Sequence, residues 1–349
     1  LAVQPLKQRD WSTVNQELDA AIASPPRFDA AFRYELAGEL MQVYRMPDAA
    51  EQMRAAVDLK AKVPAYLHRQ ARVLLELGDP VKAGNALKQA PARLLETRFL
   101  LGWQAHARRT YAKAVDLLTR VLNEQPDHVE AATILARSMA RQKKITAALK
   151  RLDQLAAKHP RDHRVRLAQA RILLWTGKLG KMHGALKAAW GITRRDPAAQ
   201  TLSGLRSLRM HDLATARKRF ERALATRPDY RPARVGMGRL LLRMGKLAEA
   251  NQQLTKLARI DRRRADVFAL MARLQLAEGK LEGARAMIED AQGAGLDPAH
   301  VARLKARLAI AKKDGAAALK HVAEAHSRTP YKDADLWVLQ GEAQMTAGR

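Results

Sequence analysis

A short turn sequence recurs along this chain every 34 residues. At residues 243–250 the sequence Arg-Met-Gly-Lys-Leu-Ala-Glu-Ala has the character of a helix end, a tight turn and the start of a second helix. Related segments lie at 277–284 and 209–216, and the same interval then leads back to Gly177, Lys143 and Arg109. A fixed period of this length predicts stacked supersecondary units, each too small to bury its apolar face alone.

Small and bulky side chains follow the same register. In the second helix of each predicted pair the small residues are Ala114, Ala148, Ala216, Ala250, Ala284 and Ala318, with Met182 in the remaining slot. Four positions later the large residues are Leu118, Leu152, Leu186, Phe220, Leu254, Ile288 and Val322. Twelve positions before the small residues, the first helix carries Gly102, Ala136, Ala170, Gly204, Gly238, Ala272 and Ala306. We expect antiparallel helices to touch at the small side chains, with the large residue filling the space beyond them.

This register resembles the tetratricopeptide repeat (TPR), from about residue 28 to residue 345. The resemblance implies an all-α fold, a right-handed α-solenoid of antiparallel helix pairs with about nine full repeats and a half repeat at each end. The chain departs from the family pattern in the middle of the first helix, where the usual aromatic residue is missing. Those positions hold Ala105, Met139, Leu173, Ser207 and Leu241. The departure lowers the expectation of the peptide-clamping subtype but leaves the fold prediction intact.

The repeat spacing divides the chain into two predicted regions. From Ala50 to Ala83 to Ala114 the intervals are 33 and 31 residues, and the interval then settles at 34. We therefore expect irregularly spaced helical repeats over residues 1–91 and a regular array over residues 92–349, with a local change of curvature between them. A solenoid end normally needs a polar cap. Because the last predicted helix lacks one, we expect the natural protein to continue beyond Arg349.

The charge balance points to an acidic partner. The chain has 63 Lys and Arg against 35 Asp and Glu, a formal net charge of +28. Such an excess favours nucleic acid, anionic lipid, acidic polysaccharide or an acidic protein as partner, although an arginine-rich proteome would also contribute to it. There is no cysteine, which excludes disulfides and thiolate chemistry. No apolar run is long enough to predict a transmembrane helix.

The sequence carries no catalytic signature. It has no phosphate-binding glycine loop, no nucleophile elbow and no zinc-binding helix motif. Gly236 and Gly238 form an isolated Gly-x-Gly inside a predicted helix, which we interpret as packing. We predict that the chain is not an enzyme and that it needs no cofactor and no metal.

The candidate binding site is an arginine ladder in strict repeat register. One residue after each small residue of the first helix come Trp103, Arg137, Arg171, Leu205, Arg239, Arg273 and Arg307. Four residues further stand Ala107, Arg141, Trp175, Arg209, Arg243, Ala277 and Ala311. Residues four apart share one helix face. In the family that the chain resembles, this face of the first helix lines the concave surface, so we predict that the eight arginines and two tryptophans form a basic groove.

Arginine presents a planar fork that matches carboxylates and phosphates. We therefore predict a non-enzymatic scaffold that binds an anionic polysaccharide or an acidic protein segment. The chain also resembles, less specifically, TPR scaffolds of bacterial envelope and exopolysaccharide export systems, which implies an envelope assembly and favours the periplasm over the cytoplasm. Two alternatives remain open: the repeat region of a larger glycosyltransferase or protease, and a charge-driven binder of RNA or single-stranded DNA. The ladder also has a plain structural interpretation, because arginine is a good helix former whose stem covers apolar surface.

Overall fold

The fold was analysed in a computed structural model, which describes residues 11–24, 29–43, 45–193, 196–228, 230–260, 265–329 and 333–348. The chain forms two compact units, unit 1 (residues 1–138) and unit 2 (residues 139–349). The predicted division at residue 91, and the change of curvature beside it, stay predictions. In the described residues no helix is both long and apolar enough to cross a membrane.

The regular structure of the described residues is entirely helical. Unit 1 contains α1 (Trp11–Ala23), α2 (Ala30–Gln42), α3 (Met46–Leu59), α4 (Pro64–Leu77), α5 (Pro80–Gln89), α6 (Leu95–Ala107) and α7 (Tyr111–Glu124), and α8 (Val129–Arg141) runs across the boundary. Unit 2 continues with α9 (Ile145–Lys158), α10 (His163–Trp175), α11 (Leu179–Ile192), α12 (Pro197–Arg209), α13 (Leu213–Thr226) and α14 (Arg231–Arg243). It ends with α15 (Leu247–Ile260), α16 (Ala265–Ala277), α17 (Leu281–Gly293), α18 (Pro298–Ala311), α19 (Gly315–Arg328) and α20 (Ala334–Thr346).

Consecutive helices pack as pairs, which confirms the all-α repeat fold. In unit 1, α2 packs on α3, α4 on α5 and α6 on α7. In unit 2 the same pattern joins α10 to α11, α12 to α13, α14 to α15, α16 to α17 and α18 to α19. The ninth predicted pair is α8 with α9, and α1 and α20 lie at the two ends without a pair partner among the described helices.

The recurrent turn owes its shape to one residue in the left-handed backbone conformation. In the turn at residues 243–250 this residue is Gly245, with φ +70°. The Lys246 N–H donates to the Leu241 carbonyl at 2.9 Å, which closes the end of the first helix. The equivalent residues with positive φ are Arg109, Lys143, Gly177, His211, Gly279 and Lys313. The 34-residue period therefore marks a backbone requirement, which four non-glycine residues also meet.

The predicted contact between small and bulky residues is present. The alanines of the second helices and Met182 are all fully buried. At Gly204 on α12, an added Cβ would lie 2.6 Å from the ring of Phe220 on α13, and at Gly236 it would lie 2.3 Å from the same ring. The two glycines thus leave the space that Phe220 fills, and the Gly-x-Gly of α14 serves packing, as predicted. In unit 1, Gly102 makes the same close approach to Leu118.

The turn geometry predicts opposite effects for two substitutions. Lys143→Gly should raise the free energy of unfolding by about 1 kcal/mol. A residue with a Cβ costs about 1–2 kcal/mol in the left-handed conformation, and the larger freedom of glycine in the unfolded chain offsets part of what is gained by removing it. Gly245→Ala should lower it by a similar amount, since its Cβ would meet no atom within 4 Å and only the φ of +70° is unfavourable. Urea unfolding followed by circular dichroism measures both, and shifts of the same sign would contradict this explanation of the turn.

The packing account predicts that Gly204→Ala destabilises unit 2 by about 1–3 kcal/mol, because the added methyl group collides with a buried aromatic ring. The matched control is Gly184→Ala on α11, where an added Cβ meets nothing within 4 Å. That exposed helical substitution should stabilise by about 0.5–1 kcal/mol. Thermal unfolding measures the stability of both variants. A Gly204→Ala variant as stable as the control would contradict the conclusion that Gly204 leaves the space for Phe220.

Candidate anion-binding site

The predicted ladder is divided between the two units. Trp103 on α6 and Arg137 on α8 belong to unit 1, and the other eight residues belong to unit 2. In unit 2, Arg171, Arg239, Arg273 and Arg307 lie in the middle of α10, α14, α16 and α18. Arg141, Arg209 and Arg243 end α8, α12 and α14, and Trp175 ends α10.

The tryptophans are engaged with arginines of the chain itself. In unit 1 the guanidinium of Arg72 lies 5.8 Å from the Trp103 ring centroid, and it also pairs with Glu96 at 3.1 Å and Glu130 at 3.0 Å. In unit 2 the guanidinium of Arg141 lies 4.4 Å from the ring centroid of Trp175. Both contacts are within the range of cation–π attraction. Each ring thus already has a cationic partner. Arg72, which contacts Trp103 and two glutamates, is not part of the predicted ladder.

Three arginines at helix C-termini reach carboxylates at distant helix N-termini. We name Arg141, Arg209 and Arg243 the flanking arginines and Asp297, Asp333 and Asp335 the bridging aspartates. Arg243 lies 2.7 Å from Asp335, Arg141 lies 3.4 Å from Asp297, and Arg209 lies 4.0 Å from Asp333. The bridging aspartates stand just before or in the first turn of α18 and α20, where the helix dipole favours negative charge.

Three further arginines have no such partner. We name Arg239, Arg273 and Arg307 the central arginines. Within the described part of the chain, none of the three makes an ion pair or a hydrogen bond, and each side chain is only partly exposed. Arg171 on α10 is likewise without an ion pair in the described residues, but it is exposed.

The central arginines lie close enough to repel one another. Desolvation, and then the charges of Arg307, Arg239 and Arg243, lower the pKa of Arg273 to about 10. Desolvation also lowers the pKa of Arg307 and of Arg239, in spite of the opposing effect of nearby carboxylates. The three side chains are partly exposed, and each is desolvated and near other arginines. We name the surface of unit 2 that carries them the arginine groove.

His300 joins this group, although nothing in the sequence marked it. It lies in the first turn of α18, three residues after Asp297. Desolvation and the charge of Arg239, assisted by Arg303 and Arg141 and opposed by Asp297, lower the pKa of His300 to about 4. His300 is an exposed residue whose pKa is governed by the nearby arginines and by Asp297, and its ring is neutral at neutral pH.

The geometry brings together four of the ten predicted residues as one cationic cluster, the central arginines with Arg243. It places Arg141 and Arg209 on the border of the groove, paired with carboxylates. Trp103 and Arg137 belong to the other unit, and Arg137 has interaction partners of its own. The three central arginines of this cluster, which have no paired carboxylate in the described residues, are suited to binding an anionic group through charge-assisted hydrogen bonds.

Comparison with known proteins agrees with this architecture. The tetratricopeptide-repeat family model matches residues 105–172, 207–274 and 243–308. No curated protein matches the sequence. One similar solved structure is a tetratricopeptide repeat protein from Parabacteroides merdae, with 18% identity, 72% of this chain and 98% of that chain covered, and a TM-score of 0.49.

Two further structures are similar at the same level. The type IV pilus biogenesis factor PilW has 20% identity, with 60% of this chain and 97% of that chain covered and a TM-score of 0.44. The Cut9–Hcn1 structure of the APC/C has 14% identity, with 96% of this chain and 82% of that chain covered and a TM-score of 0.47.

The helix pairs, the left-handed turn at a 34-residue period and the contact between small and bulky residues define a helical-repeat interaction protein. The family match over residues 105–172 and 207–308 identifies the chain as a tetratricopeptide-repeat protein.

The low pKa of His300 is directly measurable. An NMR titration of the His300 ring should give a pKa of about 4 in the folded protein, whereas an unperturbed histidine titrates near 6.5. Because the unfolded chain binds this proton at higher pH than the folded chain, His300 should reduce stability as the pH falls from 6.5 towards 4. Arg239→Gln should raise the pKa of His300, and a value near 6.5 in the unaltered protein would contradict the described groove.

Proposed function

We propose that this chain is a non-enzymatic interaction scaffold whose unit 2 binds an acidic protein segment through the central arginines. The observation that supports this proposal is that some arginines of the ladder pair with carboxylates and others do not. The flanking arginines pair with carboxylates of the chain, whereas Arg239, Arg273 and Arg307 make no ion pair or hydrogen bond within the described residues. A bound carboxylate would relieve the repulsion among them.

Two observations favour a protein segment over a nucleic acid or a polysaccharide. The groove already accommodates aspartate side chains of a polypeptide, since Asp333 and Asp335 bind arginines while standing only two residues apart. Stacking on bases or sugar rings calls for free aromatic faces. Trp103 and Trp175 each have an arginine at the ring, so the aromatic part of such a platform is already engaged.

The predicted place of the scaffold, a bacterial envelope or export assembly, is part of the same proposal. It is supported by the sequence resemblance, and the partner would be an acidic segment of another protein in that assembly. The basic excess of the chain would accelerate its encounter with such a partner.

The test is a binding titration with a fluorescein-labelled peptide that alternates Asp and Ala over twelve residues, followed by anisotropy at 0.15 M salt. The groove variant carries Arg239→Gln, Arg273→Gln and Arg307→Gln. The control variant loses the same charge from exposed arginines on second helices, through Arg54→Gln, Arg151→Gln and Arg222→Gln.

We expect the groove variant to bind the peptide at least about 10-fold more weakly than the unaltered protein, because it loses several charge-assisted hydrogen bonds of about 1.5–3 kcal/mol each. The control variant should lose no more than about 3-fold, through the long-range field alone. Equal losses in the two variants would contradict a groove site. Tighter binding of heparin or single-stranded RNA of matched length would contradict the choice of an acidic protein segment.

A further inference from the structure

The border of the arginine groove is formed by ion pairs between parts of unit 2 that are far apart in sequence. Arg141 and Asp297 are 156 residues apart, and Arg243 and Asp335 are 92 residues apart. In each pair the arginine ends one first helix and the aspartate begins another. The chain's own carboxylates thus pair with the flanking arginines, and Arg243 and Asp335 lie within electrostatic range of Arg273 and Arg307.

The start of α20 is the most strongly held part of this border. Asp333 accepts a hydrogen bond from Arg303 of α18 at 2.8 Å, and Arg209 lies 4.0 Å from the same oxygen. Asp335 accepts from Arg243 at 2.7 Å, with His211 at 3.7 Å. Two carboxylates therefore meet three arginines from α12, α14 and α18.

These contacts differ from those of three other helix-capping aspartates of unit 2, although a fourth cap, Asp196, also lies 2.7 Å from a side chain of the preceding repeat, His163. Asp162, Asp212 and Asp314 also cap helices by accepting from backbone N–H groups. Within the described residues, the side-chain contacts of these three aspartates stay within three residues, as in the pair of Asp162 with Arg164. A capping role alone accounts for Asp162, Asp212 and Asp314, but it does not account for a distant guanidinium on each bridging aspartate.

We infer that the bridging aspartates are internal competitors for the arginine groove. They occupy the flanking arginines and Arg303, so that an acidic partner segment gains these arginines only when the internal pairs open. The inference rests on the proposed function and adds its regulation. Because the aspartates and the partner offer the same carboxylate chemistry to the same guanidinium groups, each reduces the apparent affinity of the other.

Two of the internal pairs are suited to exchange, whereas the buried pair of Arg303 with Asp333 is the more firmly held contact. Arg243 and Asp335 keep 25% and 40% of their side-chain surface exposed, and Arg141 and Asp297 keep 34% and 28%. Ion pairs with this much exposure are screened by salt and are individually weak. They can therefore give way to a segment that brings several carboxylates at once.

Mild acid is a poor means of releasing Asp333 from its arginines. Burial by itself raises the pKa of Asp333, but the charge and hydrogen bond of Arg303, together with Arg209, outweigh it and lower that pKa. A carboxylate with a lowered pKa stays ionised until the pH falls below its ordinary range. Salt and competing carboxylates are therefore the relevant agents.

The test removes the three negative charges and keeps the caps. Asp297→Asn, Asp333→Asn and Asp335→Asn are combined in one border variant, since asparagine caps a helix about as well as aspartate. The control variant combines Asp162→Asn, Asp212→Asn and Asp314→Asn, which makes the same change in net charge within unit 2. Both are titrated with the labelled Asp-Ala peptide at 0.15 M salt.

A second readout needs no ligand. The chain contains no cysteine, so Met210→Cys and Val338→Cys introduce two specific labelling sites. Met210 follows α12 and is 51% exposed, and Val338 lies on α20 and is 62% exposed. Spin labels at these sites report the distance between the two sides of the border.

We expect the border variant to bind the peptide roughly 10-fold more tightly than the unaltered protein, and the control variant to gain less than about 3-fold. We also expect the distances between the two labels to become longer, or their distribution broader, in the border variant. The label distances in the protein without the aspartate substitutions should change in the same direction as the salt concentration is raised.

An unchanged label distance, or a gain in affinity equal to that of the control, overturns the inference. The proposed function then still stands if peptide binding depends on Arg239, Arg273 and Arg307. If no variant binds the peptide, the proposed function fails and the competitor role fails with it.

Discussion

The close approach of paired helices at small residues is the constraint on which the rest of the structure depends. Glycine and alanine on one helix admit Phe220 or its equivalents from the next, and a left-handed residue such as Gly245 closes each turn. Because every repeat uses the same contact, equivalent positions of successive first helices come close together. That packing is what brings Arg239, Arg273 and Arg307 into electrostatic range of one another.

The charge of the chain is distributed unevenly by this geometry. A formal net charge of +28 would by itself suggest a uniformly basic surface. In unit 2 the arginines at helix C-termini meet aspartates at helix N-termini, so both helix dipoles favour the pairs. The central arginines have no such match, and desolvation together with the charges of neighbouring arginines lowers the pKa of Arg273 to about 10. In the proposed function, a bound anion would offset the repulsion among them.

The sequence predicts the repeat, the helix pairs, the packing register and the arginine ladder, because all of these recur at a fixed interval that one helix pair explains. It does not predict the bridging aspartates, since Asp297 and Asp333 have the sequence signature of ordinary helix caps. Their pairing with arginines 92 to 156 residues away depends on small rotations that accumulate over several repeats. Nor does the register predict that an arginine of the chain lies at each of the rings of Trp103 and Trp175, because those contacts depend on local packing.

The ladder of unit 2 contains arginines that pair with carboxylates and arginines that do not, and modification by phenylglyoxal followed by mass spectrometry distinguishes the two kinds. We expect Arg239, Arg273 and Arg307 to react faster than the paired Arg209 and Arg243 of the ladder and faster than the neighbouring Arg303. An acidic peptide should protect the first three, while exposed arginines such as Arg151 and Arg222 react as before. Equal rates across the ladder, or equal protection of all arginines, would show that the two kinds do not differ.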